Sequence, residues 1–177
     1  FMVLWELIIV ILWFLEYKIL PFKGLYLHAK NDALKLRTNV YPVPDLENPF
    51  LGVHFTVTVD NATMIGPTAI PAFWRENYSY LNNFNLNEFL EIISLESSLF
   101  INNNFGFRGL ALREIKKYSK KKLIKTAGTL LKNINLNNFT SWGNTGIRAQ
   151  LINTKTKKLE MDFKFEGDQN SFHILNA

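Results

Sequence analysis

The sequence predicts an α+β protein whose mostly antiparallel or mixed sheet carries two or three helices on one side. Strand-like alternation of apolar and polar residues dominates from residue 17 to about 67. Helical spacing follows from 87 to about 125, and alternation returns from 148 onward. Elements in the order strands, helices, strands gather the helices on one side of a sheet.

Two regions in the first half predict strands of this sheet. Residues 17–30 alternate around Gly24, and a glycine within a strand is typical of a close approach to the backbone. Residues 51–59 alternate apolar and polar side chains, which predicts a half-buried strand with His54 on its polar face. The Asp-Asn pair at 60–61 then predicts a tight hairpin turn and a returning strand.

The middle of the chain predicts helices. Asn87 is predicted to cap the first helix, with Glu88 in its first turn, and the helix breaks at 102–104. A second helix is predicted over 109–125, and a short third one over 126–134. A solvated face explains the lysines of the second helix better than contact with a membrane, which is the alternative. These lysines are Lys116, Lys117, Lys120, Lys121 and Lys122.

The tail is predicted to return to strand at 148–153, 159–165 and 172–175. Arg148 enters the first of these strands directly after a turn that contains Gly143 and Gly146. An arginine placed after such a turn, at the mouth of a sheet, suits bidentate binding of a carboxylate. From the residues alone, a surface salt bridge is an equally good interpretation.

Composition excludes several classes of function. The net charge of +5 is mild, and no zinc-finger spacing, recognition helix or aromatic RNA-binding motif accompanies it, which argues against nucleic-acid binding. The chain contains no cysteine, so disulfides and thiolate chemistry are excluded. Three histidines without metal-binding spacing make a dedicated metal site improbable.

Residues 1–15 form an almost wholly apolar leader, in which Glu6 is the only charged residue. The run is shorter than the roughly 20 residues that a spanning helix needs, and it lacks the basic start of a signal peptide. A buried element, an interfacial anchor and a segment foreign to the fold all remain open interpretations.

Two further residues are candidates for chemistry. His54 is a candidate general base or hydrogen-bond partner of a substrate, because histidine titrates near neutral pH. The alternative is that its side chain faces water or a neighbouring hydroxyl. Tyr41 precedes Pro-Val-Pro, where packing is the default role and contact between its hydroxyl and a bound acid is the functional one.

Several motifs in order resemble the C-terminal part of the L-2-hydroxyglutarate oxidases and dehydrogenases, which are FAD-dependent flavoenzymes of the D-amino-acid-oxidase type. The resemblance runs from about Tyr17 to Ala177, and the helical middle matches mainly in length. The motifs are Pro21-Phe-Lys-Gly-Leu-Tyr26, Tyr41-Pro-Val-Pro-Asp45, Pro49-Phe-Leu-Gly-Val-His-Phe-Thr56, Ile65-Gly-Pro-Thr-Ala69, Ala72-Phe-Trp-Arg-Glu-Asn-Tyr78, Gly146-Ile-Arg-Ala-Gln150 and Ser171-Phe-His-Ile-Leu-Asn-Ala177.

The resemblance implies a substrate-binding domain fragment over 16–177, which covers the flavin while a hydroxy acid gives up its C2 hydride. It implies that Arg148 binds the substrate carboxylate, with Tyr41 on the substrate side and His54 as base. Three residues would lie near the cofactor, namely Gly24, Gly146 and Asn176.

The resemblance also implies what this chain does not carry. No Gly-x-Gly-x-x-Gly motif is present, so the Rossmann half that binds the FAD pyrophosphate is expected as a missing N-terminal part. We therefore expect this chain alone to be inactive, and to be cytoplasmic, membrane-associated or, in a eukaryote, mitochondrial. The alternatives are a flavin oxidase of another small acid or amino acid, and a non-catalytic membrane-associated binding module.

Overall fold

The computed structural model describes residues 16–30, 36–45, 50, 52–132 and 135–174. The apolar leader at 1–15 and the candidate cofactor residue Asn176 lie outside these ranges.

The first sheet joins the beginning of the described chain to its later part. Strand β1 (Tyr17–Gly24) pairs antiparallel with β7 (Gly146–Asn153) along its whole length. The short strand β5 (Ile70–Pro71) pairs with the other edge of β1, which gives the order β5-β1-β7. The apolar alternation at 17–24 therefore belongs to a central strand.

A second sheet has the order β3-β4-β2-β6. Its strands are β2 (Leu27–Ala29), β3 (His54–Val57), β4 (Thr63–Gly66) and β6 (Phe139–Trp142). The predicted hairpin between β3 and β4 is confirmed, with Asn61 in the left-handed conformation at φ 57°. The single strand predicted over 17–30 is wrong, because residues 25–26 lie outside both sheets and divide it into β1 and β2.

The tail ends in a separate hairpin of β8 (Phe165–Gly167) and β9 (Phe172–Ile174). The strand predicted over 159–165 is wrong for most of its length. Leu159 forms only an isolated bridge with Ile152, so the regular strand begins at Phe165.

The first helix, α1 (Leu86–Asn102), begins two residues earlier than predicted. The cap is Asn85, whose side-chain oxygen accepts hydrogen bonds from the backbone N–H groups of Asn87 (3.0 Å) and Glu88 (3.2 Å). Asn87 was predicted to be the capping residue, but its backbone N–H is instead one of the two groups that Asn85 caps. The predicted break is confirmed at Asn103, which adopts the left-handed conformation with φ 49°.

The single helix predicted over 109–125 is two helices, α2 (Phe107–Lys116) and α3 (Lys120–Ala127). Between them the chain turns, and the N–H of Tyr118 donates to the carbonyl of Ile115. The third helix predicted over 126–134 is also wrong. Helix α3 ends at Ala127, Gly128 follows as its cap, and turns continue to 132.

Two clusters of buried side chains hold the helices against the sheets. In the first, Leu20, Phe22 and Ile152 from β1 and β7 pack with Ile92 and Leu99 of α1. A second cluster packs α3 against the second sheet, through Leu27, Phe55, Ile65, Leu123, Ala127 and Phe139. In the described ranges, antiparallel sheets carry three α-helices, which confirms the α+β class. Within the described ranges, none of the helices combines the length and apolar character needed to cross a bilayer.

Candidate functional site

The pairing of β1 with β7 brings three of the predicted site residues together. Gly24 lies opposite Gly146, and Arg148 lies opposite Phe22, two positions along the ladder. All four residues line a cavity of about 170 Å³. The other described residues of its lining are Tyr26, Phe50, Pro67, Thr68, Ala69 and Ile147.

Arg148 is held by an aromatic ring and not by an acid. Its guanidinium carbon lies 5.4 Å from the centroid of the Phe50 ring, within cation–π distance. Phe50 is itself fixed, because its ring packs 4.6 Å from that of Phe22. Arg148 forms no ion pair with any other described residue, so the surface salt bridge considered from the sequence is not found there.

Partial burial lowers the pKa of Arg148 through desolvation, although a guanidinium keeps its charge at neutral pH. A cation that has one face on an aromatic ring, and whose N–H groups have no partner in the described part of the chain, can bind an anion. The planar fork of an arginine favours a carboxylate.

The space beside the backbone differs between the two glycines of the cavity, Gly24 and Gly146. A Cβ added at Gly24 would lie 3.1 Å from the Cβ of Pro67, so close packing of the 66–68 turn explains this residue. A Cβ at Gly146 would meet nothing within 4 Å. The backbone of Gly146 is therefore open to an approaching group, and the Cβ side of Gly24 is filled.

Tyr41 and His54 form a second group. Their ring centroids lie 4.4 Å apart. His54 is only 8% exposed, so the alternative in which it faces water is wrong. Its Nδ1 lies 3.0 Å from the carbonyl oxygen of Gly52, and because a carbonyl only accepts, this bond places the proton on Nδ1. The lone pair then belongs to Nε2.

The two groups are neighbours, but neither Tyr41 nor His54 is among the described residues that line the cavity. His54 pairs with Gly66 in the β3–β4 ladder, and the next residue, Pro67, forms part of the cavity wall. Arg148 and the two glycines thus share one cavity. Tyr41 and His54 lie outside it, and His54 pairs with the residue next to Pro67 of the cavity wall.

Sequence reasoning missed three residues of the cavity. Phe50 supports the arginine, and Tyr26 contributes an aromatic wall. Burial raises the pKa of the Tyr26 hydroxyl. Thr68 fixes the turn, since its hydroxyl donates to the carbonyl of Lys23 (2.9 Å) and accepts from the N–H of Leu25 (3.1 Å). The only available signal was their position inside the motifs that carry the family resemblance.

An arginine with aromatic support, at the edge of an antiparallel sheet, has the geometry to bind the carboxylate of a small organic acid. No cluster of three or more potential metal-ligating side chains occurs in the described part of the chain.

The sequence was compared with protein-family models and with known proteins. No family model matches the chain. It is 35% identical over 164 residues to an L-2-hydroxyglutarate dehydrogenase of Indibacter alkaliphilus, which covers 92% of the chain and 40% of the relative. The corresponding protein of Nematostella vectensis, named as mitochondrial, is 34% identical and covers 92% of the chain and 36% of the relative. The human protein, also named as mitochondrial, is 33% identical over 175 residues, with 90% and 35% covered.

The chain is therefore a homologue of the C-terminal part of the L-2-hydroxyglutarate dehydrogenases, a family of oxidoreductases, as its motifs predicted. It spans 35–40% of the length of these relatives.

Proposed function

We propose that this chain forms the substrate-binding part of an FAD-dependent oxidoreductase that converts L-2-hydroxyglutarate to 2-oxoglutarate. The observation that carries the proposal is Arg148, an exposed residue that lines the cavity, with its guanidinium over Phe50 and no acidic partner among the described residues. The substrate named for the relatives is a dicarboxylate, which is the kind of molecule that such an arginine binds. The rest of the active site belongs to the part of the relatives that this chain does not span.

Arg148 binds one carboxylate of the substrate through two parallel N–H···O bonds. Phe50 fixes the plane of the guanidinium, so little freedom is lost when the acid binds. Hydrogen bonds to charged groups contribute about 1.5–3 kcal/mol each in net terms. Partial burial strengthens this interaction because it reduces screening by water.

We assign to His54 the acceptance of the substrate 2-hydroxyl proton at Nε2, because its ladder partner Gly66 adjoins Pro67 of the cavity wall. The bond from Nδ1 to the Gly52 carbonyl keeps this lone pair free of the ring proton and fixes the orientation of the imidazole. Tyr41 covers the imidazole and shields it from water. Loss of the hydroxyl proton to His54 and of the C2 hydrogen as hydride leaves the carbonyl of 2-oxoglutarate.

FAD, when bound, supplies the two-electron acceptor for the C2 hydride. Among the described residues, Gly146 fits such a group, because the space beside its backbone is open and a flat ring can approach. Gly24 does not fit on its Cβ side, which Pro67 fills. We assign the pyrophosphate to the part of the longer relatives outside this chain, as the Gly-x-Gly-x-x-Gly motif is absent here.

A chimaera tests the proposal. This chain replaces the matching segment of the Indibacter alkaliphilus dehydrogenase, and bleaching of the flavin by L-2-hydroxyglutarate is followed without oxygen. We expect bleaching by this acid and little by D-2-hydroxyglutarate, glycine, sarcosine or glycerol 3-phosphate. A chimaera that holds flavin but is bleached by none of these acids overturns the proposal. Bleaching by another acid moves the assignment to a related flavin oxidase.

A further inference from the structure

A second concave site lies apart from the arginine cavity. Helices α1 and α2 and the segment 70–84 enclose a groove of about 930 Å³. Eight aromatic residues provide much of its wall, namely Phe73, Trp74, Tyr80, Phe84, Phe89, Phe100, Phe107 and Tyr118. Lys23 lines the groove, whereas its neighbours Phe22 and Gly24 line the cavity. Successive side chains of a strand point to opposite sides, so Lys23 points away from its neighbour Phe22.

Glu96 gives this apolar groove a polar group without a partner. The residue is 8% exposed, and its Oε1 atom is buried without a hydrogen bond among the described residues. It lies on α1 between Ile93 and Phe100, at the spacing that directs all three side chains to one face. A buried carboxyl without a partner costs free energy, so a ligand that satisfies it would gain affinity.

The ionisable side chains that line the groove determine the charge around Glu96. Lys23 of β1 forms no ion pair within the described residues, and the other ionisable side chains of the lining are Tyr80 and Tyr118. Burial raises the pKa of Glu96 to about 8, so its carboxyl is mostly neutral at pH 7 and is a hydrogen-bond donor. The groove therefore carries a net positive charge, with Lys23 as the cation.

We propose that this groove binds an anionic amphiphile, whose carboxylate pairs with Lys23 and accepts a hydrogen bond from Glu96 while its apolar body lies along the aromatic wall. The volume and apolar lining are those of sites for small ligands, with a few polar groups to orient the molecule. A cationic head is disfavoured by Lys23, and a neutral head leaves Lys23 without its counter-ion.

Dodecanoate is the probe, titrated calorimetrically into the 177-residue chain at pH 7 and below its micellar concentration. We expect saturable binding that weakens at least tenfold in Lys23→Met. Ser97→Phe, at an exposed position on the groove wall, should abolish binding by filling the space. Lys30→Met, at an exposed residue outside the lining, is the matched control and should bind as the parent chain does.

The pH profile gives a second readout that a merely structural role of Glu96 would not produce. Affinity for dodecanoate should fall between pH 7 and 9, as the Glu96 carboxyl ionises and repels the head group. Glu96→Gln keeps a donor at every pH and should remove this fall, and Glu76→Gln should not.

Two results overturn the proposal. The first is dodecylammonium binding as tightly as dodecanoate. The second is the absence of saturable binding in a chain whose circular dichroism shows it to be folded. The groove would then be assigned to contact with the rest of the longer protein.

Discussion

Arg148 and Phe50 are joined by a cation–π contact, with the guanidinium carbon 5.4 Å from the ring centroid. Phe50 lies far from β7 in sequence, so this contact is a long-range one between Phe50 and the strand that carries the arginine. It also leaves the N–H fork of Arg148 unpaired among the described residues. The proposed binding of a carboxylate depends on this relationship.

Replacement of Arg148 by lysine in the chimaera should lower kcat/KM for L-2-hydroxyglutarate by about 10²-fold or more. Lysine keeps the charge but loses the bidentate fork and the contact of the guanidinium with Phe50. Steady-state kinetics measures the effect. Arg113→Lys, at an exposed position on α2, is the matched control. Equal losses in both variants, or none at Arg148, would exclude the assigned role.

Replacement of His54 by glutamine should lower kcat by about 10²–10⁴-fold, the usual contribution of a general base. Glutamine retains a polar side chain of similar size, so binding of 2-oxoglutarate, measured as a change in the flavin spectrum, should change much less. The split between catalysis and binding separates a base from a packing residue. A variant that retains full kcat would remove His54 from the mechanism.

Gly66→Ala should destabilise the chain by about 3 kcal/mol or more. Its φ of 150° is unfavourable for a side chain, and an added Cβ would lie 2.6 Å from the carbonyl oxygen of Leu25. Gly146→Ala is the control for stability and should change it by less than about 0.5 kcal/mol, because nothing lies within 4 Å of its Cβ. Urea unfolding measures both, and similar losses would contradict this geometry.

Asn85→Ala should cost about 1 kcal/mol of stability through loss of the α1 cap. Asn87→Ala, two residues later, should cost much less, because Asn87 only donates its backbone N–H to that cap. Thermal unfolding of the two variants decides between the observed cap and the one predicted from the sequence.

Glu96 should make the stability of the chain fall as the pH rises from about 4.5 to 8. Its carboxyl has an ordinary pKa near 4.5 in the unfolded chain and about 8 in the folded one. Over this interval the folded state binds more protons than the unfolded state, so the free energy of unfolding decreases with pH by a few kcal/mol. Glu96→Gln should flatten the curve of melting temperature against pH, whereas Glu76→Gln should leave it unchanged.

Local signals in the sequence predicted the β3–β4 hairpin, the body of α1 and the strand that carries Arg148. Alternation of apolar and polar residues, a pair of turn residues and helical spacing are local patterns, and each can be recognised in a single sequence. The division of residues 17–30 at 25–26 was not visible, because it depends on which strands pair with each half. The turn between α2 and α3 likewise follows from the two different surfaces that these helices cover.

Arg148, Gly24 and Gly146 were three of the six predicted site residues, and the β1–β7 register brings these three together. The burial of His54 was not predicted, since alternation alone assigned it to a polar face and Tyr41, which covers it, lies in another segment. Phe50 was missed for a similar reason. An aromatic residue in an apolar motif is ordinarily part of the core, and only the fold shows that it supports an arginine.

The antiparallel ladder from Tyr17↔Asn153 to Gly24↔Gly146 has a consequence for biosynthesis. One wall of the arginine cavity is synthesised before the other, and the three helices that the structure describes lie between them in the sequence. Closing so long a loop is entropically costly, so such contacts form slowly. A nascent chain interrupted before residue 146 would hold β1 without its main partner, as an unpaired strand edge open to aggregation.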